Sequence, residues 1–285
     1  MGIKVMHTHS EPLEMTQGSQ YEALIGREEE LRRLHAAIRR RESLLIWGAT
    51  DAGKSALIKT ALAELPEGEQ RNCVYWTGAA RGRQLLSYFL AQLYRAGDSL
   101  VQRKVRVDGA GNASLDRWLQ KQSSLRLRGI FFTASTRGKY RFFLDHFPCA
   151  THNMARLMKE IMYRCETPIY LAARGYSQSE IGYAWSLYWN DKLRLHLGPL
   201  TERAARRLLE TCVRKFGFAS RGSEDFREDI LRLSGHLPGS IVKMCELAAD
   251  SKYHCGDQIK TKLVHIDYLM RTNLLDLGYG QVAVP

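Results

Sequence analysis

The stretch SLLIWGATDAGKS, residues 43–55, joins an apolar run, a loop that begins and ends in glycine, and a Lys-Ser pair. The loop from Gly48 to Ser55 has the spacing G-x-x-x-x-G-K-[ST], in which main-chain amides surround phosphate oxygens. The apolar run predicts a buried parallel strand, and residues 53–64 predict a helix whose positive end faces the anion. Ordinary residue frequencies produce such a match by chance in roughly one chain in a hundred of this length. The stretch therefore predicts a phosphate-binding loop between a strand and a helix.

This loop predicts ATP and Mg²⁺ as ligands. We expect Lys54, as a catalytic residue, to reach the β and γ phosphates, and the Ser55 hydroxyl to ligate Mg²⁺. The other nucleotide contacts are expected from Gly48, Ala49, Thr50, Asp51, Ala52, Gly53 and Ala56. The alternative is a glycine-rich turn that holds no ligand, and the flanking strand and helix argue against it.

A carboxylate for Mg²⁺ is expected at the end of Phe142-Phe143-Leu144-Asp145, on a strand that neighbours the first. Asp145 is therefore the second predicted Mg²⁺ ligand and a catalytic residue. His146 follows it, at a position where many such ATPases have a glutamate that polarises the attacking water. Histidine has an ordinary pKa of about 6.5 and is able to act as a base. Two interpretations stay open, catalysis by His146 and slow hydrolysis, and we favour the second.

Strand and helix patterns alternate as far as residue 200. Apolar runs predict strands at 43–48, 71–78, 140–147, 168–174 and 193–200. Helical spacing predicts helices at 53–64, 81–97, 114–122, 152–165 and 177–190, with a loop at 97–113. Such alternation indicates right-handed βαβ units and a parallel sheet covered on both faces. The predicted class is α/β, a three-layer αβα P-loop NTPase core.

The strand pattern stops after Pro199. Helical patterns follow at 201–217, 224–235, 238–250 and 264–275. We therefore predict a mobile tail at 1–20, a P-loop ATPase core at 21–200 and a smaller all-α lid domain at 201–285. A P-loop kinase or other transferase is a further alternative, against which these late helices argue.

Basic residues are concentrated in one segment of the chain. The formal net charge is +12, and residues 81–141 contain thirteen Lys or Arg against three Asp. Neutralisation of phosphates by such side chains supplies most non-specific affinity for nucleic acid. We therefore expect double-stranded DNA as a partner, with contacts from Arg103, Lys104, Arg106, Arg126 and Arg128. An acidic protein partner and a plain solvated surface stay open, as do base stacking and burial for Trp118.

Several motifs, in order, resemble those of the AAA+ and STAND ATPases over about residues 21–250, near the origin-recognition and transposition types. Residues 24–31, LIGREEEL, are similar to the hhGRxxE box, and FFLD to Walker B. The resemblance implies that Ile25 and Gly26 contact the adenine. It also implies that Arg174, in PIYLAARGY, is a catalytic residue that senses the γ-phosphate. The stretch SGHLPG, residues 234–239, is similar to a G-x-P motif, which implies a nucleotide contact from Pro238.

Two of these assignments have simpler alternatives. Arg174 would then be a strand-end arginine paired with a surface acid, and Gly235 and Pro238 an ordinary helix stop and helix start. The chain also departs from the pattern after Pro238, because no arginine stands there and Lys243 is the nearest cation.

Together, these patterns predict an ATP-binding, AAA+-like ATPase that acts as a nucleotide-dependent switch on DNA, with slow hydrolysis, self-association and a protein partner. The alternative is a STAND-like signalling NTPase that gates a protein partner without binding DNA. The N-terminus lacks the long apolar core of a secretory signal, and no window approaches ~18 uninterrupted apolar residues. We therefore expect a cytoplasmic protein with no membrane partner.

Overall fold

The computed structural model describes residues 24–78, 82–108, 115–218, 223–256 and 258–276, with the backbone alone for 273–276. The predicted tail at 1–20 lies outside the described residues. Within them, a parallel sheet with helices on both faces is followed by a group of helices, which confirms the predicted fold class.

Five parallel strands form the central sheet in the order β2-β3-β4-β1-β5. They are β1 (Leu44–Gly48), β2 (Cys73–Thr77), β3 (Arg141–Phe147), β4 (Ile169–Ala173) and β5 (Arg194–Leu197). Ile46 of β1 lies opposite Ala172 of β4 on one side and Leu195 of β5 on the other. Every residue of β4 is buried, as expected for a strand that is covered on both faces.

Helices cover the two faces of the sheet. Next to β1 on one face lie α1 (Glu28–Arg40) and α2 (Lys54–Ala63), whose buried side chains pack with those of the strand. The elements that follow along the chain are α3 (Glu67–Gln70), α4 (Gly82–Arg95), α5 (Ser99–Val107), α6 (Leu115–Lys121), α7 (Ser124–Gly138) and α8 (His152–Arg164). Phe89 of α4 packs against Phe142 of β3, with ring centroids 4.3 Å apart, so α4 lies on the sheet.

The predicted loop at 97–113 is wrong, because residues 99–107 form α5. Its buried residues Val101 and Val105 lie one turn apart, and the Asp98 carboxylate accepts from the Val101 amide at 2.9 Å as an N-cap. The structure also adds α7, for which no element is predicted. In α7 the apolar positions alternate with arginines in the sequence SLRLRGIFF, which obscures the helical period.

The predicted single helix at 177–190 is wrong as well. The helix α9 (Gln178–Ile181) ends at Gly182, which has a φ of +68°, and a 3₁₀ segment, Tyr183–Tyr188, follows it. Gly182 bridges to Ala150, and a Cβ at Gly182 would lie 2.7 Å from the Ala150 oxygen. This approach of a neighbouring loop overrides the local helical period.

The strand that carries Asp145 does not neighbour β1 as predicted, because β4 lies between β3 and β1. The carboxyl ends of parallel strands nevertheless meet at one edge of the sheet. Ala173, the last residue of β4, has a small side chain and lines the same cleft as Asp145. Asp145 therefore faces the phosphate loop across the end of β4.

A second cluster of buried side chains, from Leu200 to Val264, lies after β5. It is formed mainly by α10 (Glu202–Lys215), α11 (Glu224–Ser234), α12 (Pro238–Ala248) and α13 (Thr261–Asp276), called here the C-terminal helices. A short antiparallel pair, β6 (His254–Cys255) and β7 (Gln258–Ile259), was not predicted, because two-residue strands carry no readable period. The division at residue 200 into core and lid domains remains a proposal.

Candidate nucleotide site

The phosphate loop, residues 48–55, connects β1 to α2. Gly48 has a φ of +148°, and a Cβ at this position would overlap the Leu197 carbonyl oxygen of β5. Gly53 has a φ of +93° at the N-terminal cap of α2. Glycine adopts such conformations without steric cost. Both glycines of the motif are therefore required by the backbone.

Lys54 lies folded against this loop. Its Nζ donates to the main-chain oxygens of Gly48 and Ala49, each 2.8 Å away. Burial lowers the pKa of the Lys54 ammonium to about 8, although the negative charges of Asp145 and Asp51 oppose this shift. Phosphate oxygens at the loop would offer this ammonium stronger acceptors than the two neutral carbonyls.

Asp145 is held in place by two donors. It is 1 % exposed, its Oδ1 accepts from the main-chain N–H of His146 at 2.8 Å, and its Oδ2 accepts from the Tyr75 hydroxyl at 2.6 Å. Each carboxylate oxygen keeps a lone pair for Mg²⁺ or its water. Tyr75 was not predicted as a site residue, since only the pairing of β2 with β3 brings it to Asp145.

His146 lies in an irregularity of β3. The register of β3 against β4 shifts between Leu144 and Phe147, and His146 has a φ of +51°. Its Nε2 lies 3.2 Å from Ser55 Oγ and 3.9 Å from Asp145 Oδ2. Bulges and left-handed residues other than glycine concentrate at functional sites. The irregularity thus places the histidine ring beside the predicted Mg²⁺ ligand Ser55.

A cleft of about 440 Å³ lies at the carboxyl ends of the strands, bounded by the phosphate loop and the C-terminal helices. Most predicted site residues line it, namely Thr50, Asp51, Gly53, Lys54, Ser55, Ala56, Asp145, His146 and Arg174. Arg174 is exposed, and its side chain makes no ion pair with any residue that the structure describes. The paired surface arginine, its alternative interpretation, is therefore not found in that part of the chain.

Three residues of the C-terminal helices that were not predicted as site residues also line the cleft, Gly239, Lys243 and Thr272. Lys243 had a weak signal in the sequence as the nearest cation after the G-x-P stretch. Gly239 ends that stretch but was not assigned a contact. Thr272 had no signal, because the cleft wall exists only once the C-terminal helices pack against the core.

The remaining predicted nucleotide contacts lie around the loop and outside this cleft lining. Ala52 is fully buried, and Ala49 accepts from Lys54. A Cβ on Gly53 would lie 3.4 Å from Cγ of Pro238, the first residue of α12, which places that proline beside the loop.

Ile25 and Gly26 lie against the C-terminal helices. Gly26 has a φ of +75°, and a Cβ there would overlap that of Ala204 on α10. Ile25 packs against the cluster of buried side chains that the C-terminal helices form. The segment implied to contact the adenine therefore lies at the junction between the core and the C-terminal helices.

The site residues fit Mg²⁺ and a nucleoside triphosphate. The loop has Gly48 and Gly53 at two positions with positive φ, an ammonium group at its centre and a helix N-terminus behind it. The Ser55 hydroxyl and Asp145 carboxylate are oxygen donors of the kind that Mg²⁺ prefers.

The basic segment forms a second surface feature. Arg103 and Lys104 of α5 and Arg137 of α7 line a groove of about 540 Å³ between the two helices. Arg126 also lines it, and both oxygens of Asp108 accept from its Nη2, at 2.9 and 2.8 Å.

The other predicted nucleic-acid contacts lie outside the groove lining. Arg106 is exposed on α5, whereas Arg128 pairs with Glu160 of α8. Trp118 is 3 % exposed and donates to Asp108 at 2.7 Å, so the structure supports burial over base stacking.

No helix among the described residues has the length and apolar character needed to cross a bilayer.

Comparison with known proteins places the chain in a class. The family model of the AAA ATPase domain matches residues 23–226. The chain therefore belongs to the AAA ATPase domain family, and it is a nucleotide-dependent P-loop ATPase. Curated protein sequences contain no match.

Two solved structures are similar to the chain to different degrees. A Walker-type ATPase of Pyrococcus abyssi superposes with a TM-score of 0.58 at 15 % identity, covering 90 % of this chain and 74 % of that one. A STAND protein with a tetratricopeptide-repeat sensor from Pyrococcus horikoshii gives 0.49 at 13 % identity, covering 86 % of this chain and 33 % of that one. At 15 % identity, the similarity to the Pyrococcus abyssi ATPase is a similarity of fold alone.

Proposed function

We propose that the chain is an ATP-dependent switch that binds DNA and hydrolyses ATP slowly. The observation that carries this proposal is the convergence of Lys54, Ser55, Asp145 and Arg174 on one cleft whose far wall is formed by the C-terminal helices. A nucleotide in that cleft would touch both parts of the chain, so its phosphates would influence how the two parts pack.

The nucleotide roles follow from position. Lys54 would bind the β and γ phosphates, and Arg174, which has no acidic partner among the described residues, would approach the γ-phosphate. When bound, Mg²⁺ would offset charge on the phosphates, held by Ser55 and by Asp145 directly or through water. Ile25, Gly26 and Pro238 would contact the nucleotide where the core meets the C-terminal helices.

Slow hydrolysis follows from His146. Its Nε2 lies 3.2 Å from Ser55 Oγ, so the ring is directed at the magnesium side of the site. A general base must contact the water it activates. A ring engaged with Ser55 is poorly placed for that task, and the site lacks the glutamate common in related enzymes.

DNA binding is supported by the groove between α5 and α7. Arg103, Lys104 and Arg137 line it without an ion pair to any described residue, so their charges are available to phosphates. Arg126 would serve mainly to shape the groove, since Asp108 already neutralises it. Arg106, exposed on the same helix, would extend the basic surface, while Arg128 is engaged with Glu160.

A second candidate, nucleotide-gated binding of a protein partner, is favoured by α13. Its exposed face carries Leu263, Ile266, Leu269 and Met270, each more than 40 % exposed. On the same helix, Tyr268 donates to Asp51 of the phosphate loop at 3.0 Å. A change at the loop would therefore move an apolar surface, as a STAND-like switch requires. Self-association through this face is one form of this candidate.

The experiment is DNA binding followed by fluorescence anisotropy with a non-hydrolysable ATP analogue, with ADP and without nucleotide, from 50 to 200 mM salt. DNA-dependent switching predicts that the analogue strengthens binding and that salt weakens it steeply. Binding that ignores both nucleotide and salt contradicts it. Analogue-dependent self-association or capture of a partner, without DNA affinity, would select the second candidate.

A further inference from the structure

One residue of the phosphate loop is an acid that binds the C-terminal helices. The Asp51 carboxylate accepts from Lys243 Nζ of α12 at 2.7 Å and from the Tyr268 hydroxyl of α13 at 3.0 Å. A longer contact of 3.5 Å comes from the Ser240 hydroxyl. The carboxylate thus bridges both helices that form the far wall of the cleft.

The backbone reinforces this contact. Gly239 N–H donates to the Asp51 main-chain oxygen at 2.8 Å, and a Cβ on Gly239 would lie only 2.8 Å from the Asp51 Cβ. Asp51 itself has a φ of +65°, which turns its side chain from the loop toward α12. Asp and Asn are the residues other than glycine that adopt this conformation most readily. Loop and helix are therefore fitted to each other at this point.

The charges place Asp51 and a nucleotide in competition. Lys243 lines the nucleotide cleft, and in this structure its ammonium is paired with Asp51. The Asp51 side chain is 10 % exposed and that of Lys243 44 %, so the carboxylate is sheltered while the cation borders the cleft. A triphosphate in the cleft would bring more negative charge toward Lys243 than a diphosphate. Although an ammonium group has three donors, its single positive charge would then be divided between two anions, which weakens its attraction to Asp51.

We propose that Asp51 is an internal anion that latches α12 and α13 onto the phosphate loop before nucleotide binds, and that the terminal phosphate of ATP competes with it for Lys243. The pair Asp51–Lys243 thereby contributes to discrimination between ATP and ADP. The latch stands on the contacts given above, whereas the competition rests on the proposed nucleotide function. The energy for release comes from the differential affinity of ATP for the latched and unlatched forms, as any ligand-driven shift requires.

Hydrogen exchange of α12 and α13 in nucleotide-free protein tests the latch. Asp51→Asn keeps the shape and tolerates the positive φ, so the variant is expected to fold. We expect Asp51→Asn and Lys243→Met each to speed exchange in both helices by about tenfold or more, the loss expected for one charged hydrogen bond. The matched controls are Glu246→Gln, an exposed acid of α12, and Lys262→Met, an exposed cation of α13. Exchange no faster than in these controls would overturn the latch.

A double-mutant cycle on ATP and ADP affinity tests the competition. If Asp51 acts through Lys243, Asp51→Asn tightens ATP by about tenfold in the wild-type background and leaves it unchanged in the Lys243→Met background. Equal tightening in both backgrounds would identify Asp51 as a merely repulsive charge and overturn this part. If neither the wild type nor any of the variants bound ATP, the proposed function would be refuted. The latch would still stand if the variants showed the expected faster hydrogen exchange.

Discussion

Arg27 donates a hydrogen bond from its Nη2 to the main-chain oxygen of Ala52, 3.1 Å away inside the phosphate loop. The same nitrogen also contacts the Gly198 oxygen just after β5, and Nη1 pairs with Glu30 at 2.9 Å. The side chain is 4 % exposed. A single guanidinium thus ties the start of α1 and the end of β5 to the loop that is proposed to bind phosphate.

Removal of this group is expected to cost stability and nucleotide affinity together. Arg27→Met should lower the free energy of unfolding by about 3 kcal/mol, because it leaves Glu30 and two carbonyls without their buried partner. Urea denaturation measures this loss, and calorimetry with Mg·ATP measures the affinity. The control is Arg32→Met, whose side chain is 74 % exposed and which should change stability by less than about 0.5 kcal/mol. Equal effects of the two substitutions would contradict a role for Arg27 in the loop.

ATP affinity is expected to fall as pH rises through about 8. The pKa of Lys54 is lowered to about 8 by burial, and only the protonated ammonium attracts phosphate strongly. Because phosphate raises that pKa again, binding near pH 8 should take up a proton, which calorimetry detects as a heat that depends on the buffer. Lys54→Ala should bind no measurable ATP. An affinity that stays constant up to pH 9.5 would contradict the assignment.

The lowered pKa of Lys54 also predicts how the free energy of unfolding changes with pH. The unfolded lysine keeps its proton up to its ordinary pKa of about 10.5, whereas the folded one loses it near 8. Between these values the unfolded state binds more protons, so this group makes the free energy of unfolding rise with pH. The rise should be absent in Lys54→Met, which has no titrating group at this position.

Asp145→Asn is expected to keep nucleotide binding in the absence of Mg²⁺ and to lose the strengthening that Mg²⁺ provides. Tyr75→Phe removes the hydroxyl that donates to the carboxylate at 2.6 Å. Because this hydroxyl orients a proposed Mg²⁺ ligand, its loss should weaken the Mg²⁺ dependence of nucleotide affinity by about tenfold. Affinities for nucleotide with and without Mg²⁺ measure both. Tyr163→Phe, at a tyrosine that is 55 % exposed, is the matched control. If Tyr163→Phe lost its Mg²⁺ dependence while Asp145→Asn and Tyr75→Phe kept theirs, the assignment of Asp145 and Tyr75 to the Mg²⁺ site would be refuted.

His146→Glu is expected to raise ATP turnover by about 100-fold, the contribution of one well-placed general base. His146→Gln should keep contact with Ser55 but cannot take a proton, so its turnover should stay at the slow wild-type level. Steady-state phosphate release measures both variants. No increase in His146→Glu would count against a deliberately slow switch, and a large loss in His146→Gln would instead make the histidine the base.

Neutralising the groove should change how DNA affinity depends on salt. The triple variant Arg103→Gln, Lys104→Gln, Arg137→Gln should reduce the slope of log affinity against log salt by about 3, close to one unit for each lost phosphate contact. Arg203→Gln, at an exposed position of α10, should leave the slope unchanged. If the salt slope of the triple variant equalled that of the wild type, α5 and α7 would not be part of the DNA interface.

Helix prediction succeeded where one apolar face is regular. It failed where a contact with a distant part of the chain determines the backbone and where charged residues interrupt the apolar period. The apolar strands and the glycine-bounded loop were predicted because buried parallel strands and phosphate loops have short, local signatures. Gly182 ended a predicted helix because the backbone of Ala150 approaches it from a distant part of the chain. The helix α7 was missed because arginines interrupt its apolar period.

The amino-acid sequence by itself determined that this chain has a P-loop at Gly48–Ser55, an α/β core and an acid at Asp145, because each is written in adjacent residues. Tertiary structure alone decided that Tyr75 orients Asp145, that His146 turns toward Ser55 and that Asp51 pairs with Lys243, 192 residues further along the chain. The physical reason is the separation along the chain over which each interaction acts. Backbone conformation and hydrophobic period act within a few residues, whereas hydrogen bonds between side chains depend on which elements pack together.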